Sequence, residues 1–519
     1  MRVDVLIIGG GATGVGIARD LSMRGVDVLL LEKSDFGSGS SGGNHGLLHS
    51  GARYVINDPI SAKECAAESK ILKKVAWNCI DDTGGLFVGL KGDDPEHGSR
   101  FEGSCRSLRI NVHHVGKDEI WELEPNISKD AEEGYLVEDA AIDPFRLVLT
   151  NVDDARRNGA TLRNHCEVID VETTGEEVRA VRFRDMRNGD VDEVYPEIVV
   201  NAAGPQAAAV AKMAGINLGL TRDFGTLLVY NGRTVRRVIN RLRPPSDGDI
   251  IVPSHTSMVA GTTSRRLRPS ENGCPTRADV EKISKEASAL VPSLETMRVI
   301  RAYGSSRPLI SSEGGRTASR GYKVIDHATD GVEGMISIIG GKLTTYRLMA
   351  ESVSDLVCRK LGVRADCRTA TEVMVEKRVG LNFPSTKAVK DSISRRYGNA
   401  QNAHLWIESN GTGMDLACSC EGVLQTELER FSASGDILNL TDLMRRTRAG
   451  MGYCQGTGCM WRMVAALSKG DDVQELVEDF IRERRAAMES VLEGDQLRQE
   501  IFRSHILWNY LSEKDERET

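Results

Sequence analysis

The sequence predicts a mixed α/β chain of several domains, and three stretches predict it. A short apolar strand runs directly into Gly9, Gly11 and Gly14 in the pattern G-x-G-x-x-G. A late segment, Met335 to Gly341, repeats the order of apolar strand, glycines and helix start. From residue 410 onward the chain turns to short helical patterns around Cys418, Cys420, Cys454 and Cys459.

The first stretch is the most specific. VDVLIIGG reads as a strand, Gly16 to Arg24 as a helix, and Val26 to Leu31 as a second strand ending on Glu32. Gly9 suits a tight strand-to-helix turn, Gly11 lets backbone N–H groups approach a pyrophosphate, and Gly14 permits close packing of helix on strand. The pyrophosphate is expected on the positive end of the helix, in contact with Ala12 and Thr13. Glu32, at the strand tip, is placed to accept from both hydroxyls of an adenosine ribose, with Lys33 beside it, and its charge disfavours a 2′-phosphate. A Rossmann-like dinucleotide site follows.

The 519 residues and 40% apolar content allow more than one core. A net charge of −8 and a pI of about 5.8 give no support for nucleic-acid binding. The amino terminus lacks the pattern of a signal peptide, because the first strand carries Asp4 and enters the glycine loop at once. No window holds the roughly 18 uninterrupted apolar residues of a membrane span. A cytoplasmic protein is expected, with any membrane contact peripheral or through a partner. The 11 cysteines read as thiols or ligands rather than disulfides.

Ser34 to Tyr54 (SDFGSGSSGGNHGLLHSGARY) is too rich in Gly and Ser for a regular element, yet it embeds Asn44, His45, Gly46, His49 and Arg53. Placed after the ribose-binding strand, it is expected to run along the cofactor. Pro59 to Asp81 has helical spacing, Leu86 to Ile142 mixes short strands and turns with a helix within Val112 to Leu123, and Asp143 to Gly159 is an amphipathic helix opened by Asp-Pro and closed by Asn-Gly. Alternation predicts strands from Thr161 to Val200, the last delivering the small residues Ala202, Ala203 and Gly204 toward the cofactor. Leu220 to Thr263 reads as antiparallel sheet, Arg277 to Leu290 as a helix, and Arg301 to Arg347 as short strands. After MISIIGG, a helix start at Lys342, Leu343 and Thr344 would point free N–H groups at a polar or anionic ligand, bringing Gly340 and Gly341 to the same site.

The resulting division has a discontinuous dinucleotide-binding domain (1–75, 145–215 and 320–365), an inserted antiparallel-sheet substrate or cap domain (76–144 and 216–319), a linker (366–409) and a small, mainly helical four-cysteine domain (410–519). Cys418-x-Cys420 and Cys454-x4-Cys459 predict a metal site. Four thiolates suit tetrahedral zinc or an iron–sulfur cluster. Beside a redox cofactor a 2Fe–2S cluster has a one-electron task that zinc lacks, and zinc remains the alternative. Cys65, Cys79, Cys105, Cys166, Cys274, Cys358 and Cys367 read as packing residues.

Taken together, IIGGGATGVGIARDLSMRG, GNHGLLHSGARY, DPFRL, VVNAAG, RPPSDGDIIVP, GTTS, IIGGKLTTYRLMAE and RRTRAGMGYCQGTGC resemble the catalytic FAD subunit of the anaerobic glycerol-3-phosphate dehydrogenases over nearly the whole chain. The cysteine module is similar to bacterioferritin-associated ferredoxin. The resemblance implies FAD, oxidation of sn-glycerol 3-phosphate to dihydroxyacetone phosphate, and electron flow to partner subunits B and C and the quinone pool at the inner face of the membrane. Likeness to the related aerobic enzyme implies Arg53, Tyr54 and Arg320 as substrate and phosphate contacts, and Arg307 and Lys342 as basic residues near the reacting hydroxyl. The aerobic relative carries a histidine after a Gly-Ser pair, whereas this chain has Gly225-Thr226-Leu227.

Oxidising a secondary alcohol needs a base for the hydroxyl proton. His49 is the candidate, since an unperturbed imidazole titrates near operating pH. Arginine forks suit the phosphate. Two other readings remain open at this point: a flavin dehydrogenase of another 2-hydroxyacid or an amine, and a binding or assembly subunit with structural zinc.

Overall fold

Strand formation at the amino terminus follows from a run of β-branched and Leu residues buried on both faces, as a central parallel strand requires. In the computed structural model, which describes residues 1–268, 271–309, 321–375, 393, 415–470 and 472–512, Arg2–Ile8 lies in the middle of an eight-stranded sheet. It pairs in parallel with Val28–Leu31 on one side and with the end of Val191–Asn201 on the other. Thr161–Arg163 extends the sheet beyond Val28–Leu31, and Met335–Gly340 pairs in parallel with residues Val199 to Asn201. The first half of Val191–Asn201 turns outward into an antiparallel meander with Glu177–Asp185 and Cys166–Thr174. Chain segments far apart in sequence therefore converge on one sheet.

Helix Ala12–Met23 is buried along almost its whole length, between helices Pro144–Arg157 and Tyr346–Leu361. Its entry depends on two glycines. Gly9 sits at φ +113°, and a Cβ on Gly14 would stand 1.9 Å from the Gly9 carbonyl oxygen. Within this core Arg19 is buried and bonds Asp154 at 2.5 Å.

A second, nine-stranded sheet covers the cofactor side: Arg265–Arg266, Thr221–Tyr230, Ser257–Gly261, Ile250–Ser254, Val238–Arg241, Gly85–Leu90, Ala131–Val137 and Val112–Gly116 in order, with Val299–Leu309 on the other side of Thr221–Tyr230. It is antiparallel except at one seam, where Val238–Arg241 runs parallel to Gly85–Leu90. There two chain segments far apart in sequence meet edge to edge.

Several details differ from expectation. The helix from Pro59 ends at Val75, and Ile80–Asp81 is a strand because it pairs with Ala140–Ile142. Within Val112 to Leu123 the expected helix is Lys117–Leu123, preceded by strand Val112–Gly116. Pro95–Ser107 is an unforeseen helix, opened by Asp94-Pro95 as the Pro144 helix is opened by Asp143. Cys274 is exposed and Cys367 half-buried rather than packed, while the other five scattered cysteines are buried. None of the 11 cysteines is in a disulfide. At the start of the expected linker, Met374 is buried in the main core, its N–H bonded to the Val75 carbonyl at 2.9 Å.

The carboxy-terminal part comprises a two-stranded ribbon, Leu416–Cys418 with Val423–Leu424, and helices Gln425–Ser432, Leu440–Thr447, Met460–Leu467, Val473–Met488 and Gly494–Ser512. Buried charges tie it to the rest. Asp35 accepts from two Arg446 nitrogens, Nη2 at 2.7 Å, and from Asn164 at 2.9 Å. His165 meets Asp442 at 2.9 Å, and Arg448 bridges Glu421 (2.9 Å) and Asp143 (3.3 Å).

Candidate active site

The parallel strands end at a cavity of about 1050 Å³. Gly9, Gly11, Ala12 and Thr13 line it from the first turn, Glu32 and Lys33 from the second strand, Ala203 and Gly204 from the third, and Gly340, Gly341, Lys342, Leu343 and Thr344 from the late strand and its short helix. Asn44, His45, His49, Arg53, Tyr54 and Arg307 complete the wall. Gly14 lies behind the turn, packed on Gly9. Gly46, at φ +68°, faces Ile142 and a neighbouring cavity instead. Arg320 lies outside the described residues.

The cradle fits a dinucleotide. The helix cap Gly11 is extended and carries no side chain, so the first turn meets the cavity as bare backbone. Glu32 is aimed by two backbone donors, Gly10 N–H at 2.7 Å and Ser34 N–H at 2.8 Å. Ser41, which sequence reasoning did not single out, accepts from Ala12 N–H at 2.8 Å and joins the Gly/Ser loop to the helix start.

At the other end of the cavity the polar side chains are held by partners. Tyr54 O–H lies 3.3 Å from His49 Nε2, and Thr344 Oγ1 accepts from His49 N–H at 3.1 Å. Lys342 donates to Ser61 Oγ at 2.8 Å, its Nζ 4.8 Å from the centre of the Tyr54 ring. Arg53 reaches Asp249 (3.3 Å) and Asn240 (3.5 Å). Arg307 is paired with Asp223 at 2.6 Å. Behind His49, buried Asp139 accepts from both the N–H and the hydroxyl of Ser50 at 2.7 Å. Asp139, Asp223, Asn240 and Ser61 were missed by sequence reasoning because each is an isolated polar residue without a motif. Asp249 lay within RPPSDGDIIVP but had no role assigned.

Burial, with Arg53 and Arg307 nearby, pushes the His45 imidazole down to about 3. Burial, followed by His45, Arg53 and Lys342, holds His49 well below the ordinary histidine value. The expectation that His49 titrates near neutrality is therefore corrected: a buried ring among cations stays neutral. The Nδ1 atoms of both rings are buried without a hydrogen-bond partner among the described residues.

Beyond Asn44 and His45 a second cavity, of about 990 Å³, is closed by Cys420, Glu421 and Arg448. The four predicted ligand cysteines come together as two pairs, Cys418 facing Cys459 and Cys420 facing Cys454. Asp35, His165 and Asp442 also bring ligand atoms within 4.8 Å of one another, but Arg446 and Asn164 occupy the Asp35 oxygens, making this an ion-pair clasp.

A doubly wound sheet with a glycine turn, an acid closing its second strand and a second, mainly antiparallel sheet over the same cavity is the architecture of a dinucleotide-binding protein. The chain belongs to the FAD dependent oxidoreductase family, whose model matches residues 4–347, and within it to the group of anaerobic glycerol-3-phosphate dehydrogenase A subunits. It is 39% identical over 531 aligned positions to the A subunit of the anaerobic glycerol-3-phosphate dehydrogenase of Haemophilus influenzae, covering 99% of this chain and 93% of the relative. It is 38% identical to the protein of that name from Escherichia coli K12, covering 96% and 95%. The structure of the glycerol-3-phosphate dehydrogenase from Bacillus halodurans complexed with FAD shares the fold, with TM-score 0.72 at 21% identity over 95% of this chain and 96% of that one. FAD is thus the dinucleotide for which the cavity is shaped. No helix among the described residues is long and apolar enough to cross a membrane.

Proposed function

We propose that this chain oxidises sn-glycerol 3-phosphate to dihydroxyacetone phosphate. The observation that carries the reading is one cavity lined both by the dinucleotide cradle and by Arg53, Tyr54, His49, Arg307 and Lys342, in a chain 38–39% identical to named glycerol-3-phosphate dehydrogenase subunits. FAD supplies the hydride acceptor. Arg53 and Tyr54, with Arg320, bind the phosphate, and this fixes which carbon faces the flavin. Neutral His49 takes the hydroxyl proton on a ring nitrogen, while Arg307 and Lys342 stabilise the developing alkoxide.

The four cysteines are assigned to a 2Fe–2S cluster. Sulfurs in two facing pairs suit two irons better than one tetrahedral zinc, and a one-electron centre has a task beside a redox cofactor that zinc lacks. The module closes the cavity next to Asn44 and His45, which supports electron flow from flavin to cluster, then to partner subunits and the quinone pool at the cytoplasmic membrane face. The division into a discontinuous cofactor domain, an inserted cap, a linker and a four-cysteine domain forms part of this proposal.

The test is anaerobic addition of sn-glycerol 3-phosphate to the purified, FAD-loaded chain, followed by an artificial dye. Bleaching of the flavin band and dye reduction that depends on glycerol 3-phosphate are expected. Bleaching only by an amine or another hydroxyacid overturns the reading.

A further inference from the structure

Strand Val299–Leu309 runs antiparallel to Thr221–Tyr230, and the register places Arg307 directly opposite Asp223. The Asp223 carboxylate is buried, 1% exposed, and bonds Arg307 Nη1 at 2.6 Å through one oxygen. Its other oxygen accepts from Ser264 Oγ at 2.8 Å, so the carboxylate cannot swing away to follow a different cation. The far edge of the guanidinium is held as well: Nη2 donates to Thr262 Oγ1 at 2.7 Å and to the Thr263 carbonyl at 3.2 Å. Between these anchors the group lies across Gly225. A Cβ there would stand 2.2 Å from Arg307 Nη2 and 2.4 Å from Thr262 Oγ1. Gly225 and Arg307 both face the substrate end of the main cavity.

We propose that Asp223 and Gly225 are positioning residues for Arg307: the carboxylate anchors one edge of the guanidinium, and the missing side chain at 225 leaves the space it crosses. The cation is thereby fixed at the cavity wall before substrate arrives. This inference rests on the reading that Arg307 acts beside the reacting hydroxyl. A long side chain left to itself samples many rotamers, and a charge that must reorganise during the reaction stabilises the transition state less than one already in place. Phosphate binding through Arg53, which is held by a different pair of partners, does not depend on this arrangement.

Three variants test it in the FAD-loaded full chain: Arg307→Ala, Asp223→Asn and Gly225→Ala. Gly225→Ala alters no charge, and its Cβ meets the Arg307 guanidinium and Thr262 Oγ1, so it displaces the guanidinium from between its anchors. Asp223→Asn and Gly225→Ala should each lower kcat roughly 10- to 100-fold with KM for glycerol 3-phosphate within about twofold, the pattern of an interaction made in the transition state. Bound flavin absorbance should be unchanged. Asp223→Glu, which restores the charge, should recover part of the loss, and the double variant Asp223→Asn with Gly225→Ala should be no worse than about either single one, since both act through Arg307. Should Gly225→Ala fail to fold, Thr262→Val removes the other anchor and carries the same expectation. If Arg307→Ala leaves turnover intact, the reading of Arg307 is wrong. If Arg307→Ala abolishes turnover while Asp223→Asn and the folded variant of Gly225 or Thr262 do not, the positioning inference is wrong and the reading stands.

Discussion

Tyr303 donates its phenolic hydrogen to the backbone carbonyl of Asn44 across 2.9 Å, joining a strand of the antiparallel sheet to the loop that walls the cofactor cavity. Ser305, two residues along the same face, donates to the Gly43 carbonyl at 2.8 Å, and Ser40 donates to the Ser306 carbonyl at 2.6 Å. A Gly/Ser loop with few side chains of its own is thus shaped by a rigid neighbour. The same face of Val299–Leu309 continues to Arg301, paired with Glu483 of the carboxy-terminal part, and to Arg307 in the substrate end.

Tyr303→Phe removes one hydrogen bond and leaves a carbonyl without its donor, a loss of about 1 kcal/mol. Fluorescence titration of the flavin-free protein should show FAD affinity weakened roughly fivefold, with the Tm nearly unchanged. An unaltered Kd would mean that the loop holds its shape without Tyr303.

His49→Ala should lower turnover by about 100-fold or more, as expected for loss of a general base, with FAD content retained. The wild-type pH profile carries a sign. Because burial and neighbouring cations depress His49, its neutral, proton-accepting form persists as pH falls through the ordinary histidine range. The acid limb of kcat/KM should therefore lie below pH ~6.5. A limb centred at the ordinary histidine value would show that bound substrate and flavin reverse the depression.

Cys420→Ser should abolish the broad visible band of a 2Fe–2S centre while flavin bleaching by glycerol 3-phosphate survives, because the cysteine pairs stand apart from the substrate end. Metal analysis of the wild-type chain should find about two irons per chain. Zinc in place of iron would reverse the assignment.

Asp35→Asn leaves Arg446, which is 8% exposed, buried against a neutral partner. Breaking one side of a buried pair costs about 3–5 kcal/mol. Thermal unfolding followed by cysteine-module absorbance should then precede unfolding of the flavin domain, whereas the two should coincide in the wild type. A single coincident transition in the variant would mean that the clasp does not hold the module.

The sequence alone determined the elements whose signals are local. The glycine turn, the acid ending the second strand, the helix opened by Asp143-Pro144, and the Arg277–Leu290 helix with its Thr276 and Asp279 capping box are each set by neighbours a few residues away. The helix at Pro95 had the same local opening as that at Pro144 and was missed amid the short strands expected around it.

Only the tertiary structure decided which distant residues meet. Asp223 faces Arg307 through strand register, Asp139 supports Ser50 across 89 positions, and Asp35 receives Arg446 across 411. It also decided that His45 and His49 stay neutral, since desolvation depends on what the folded chain packs around a ring and not on the residues beside it in sequence. Local signals arise from backbone hydrogen bonding within a turn or two, whereas the partners and charge states of site residues arise from long-range packing that no short window contains.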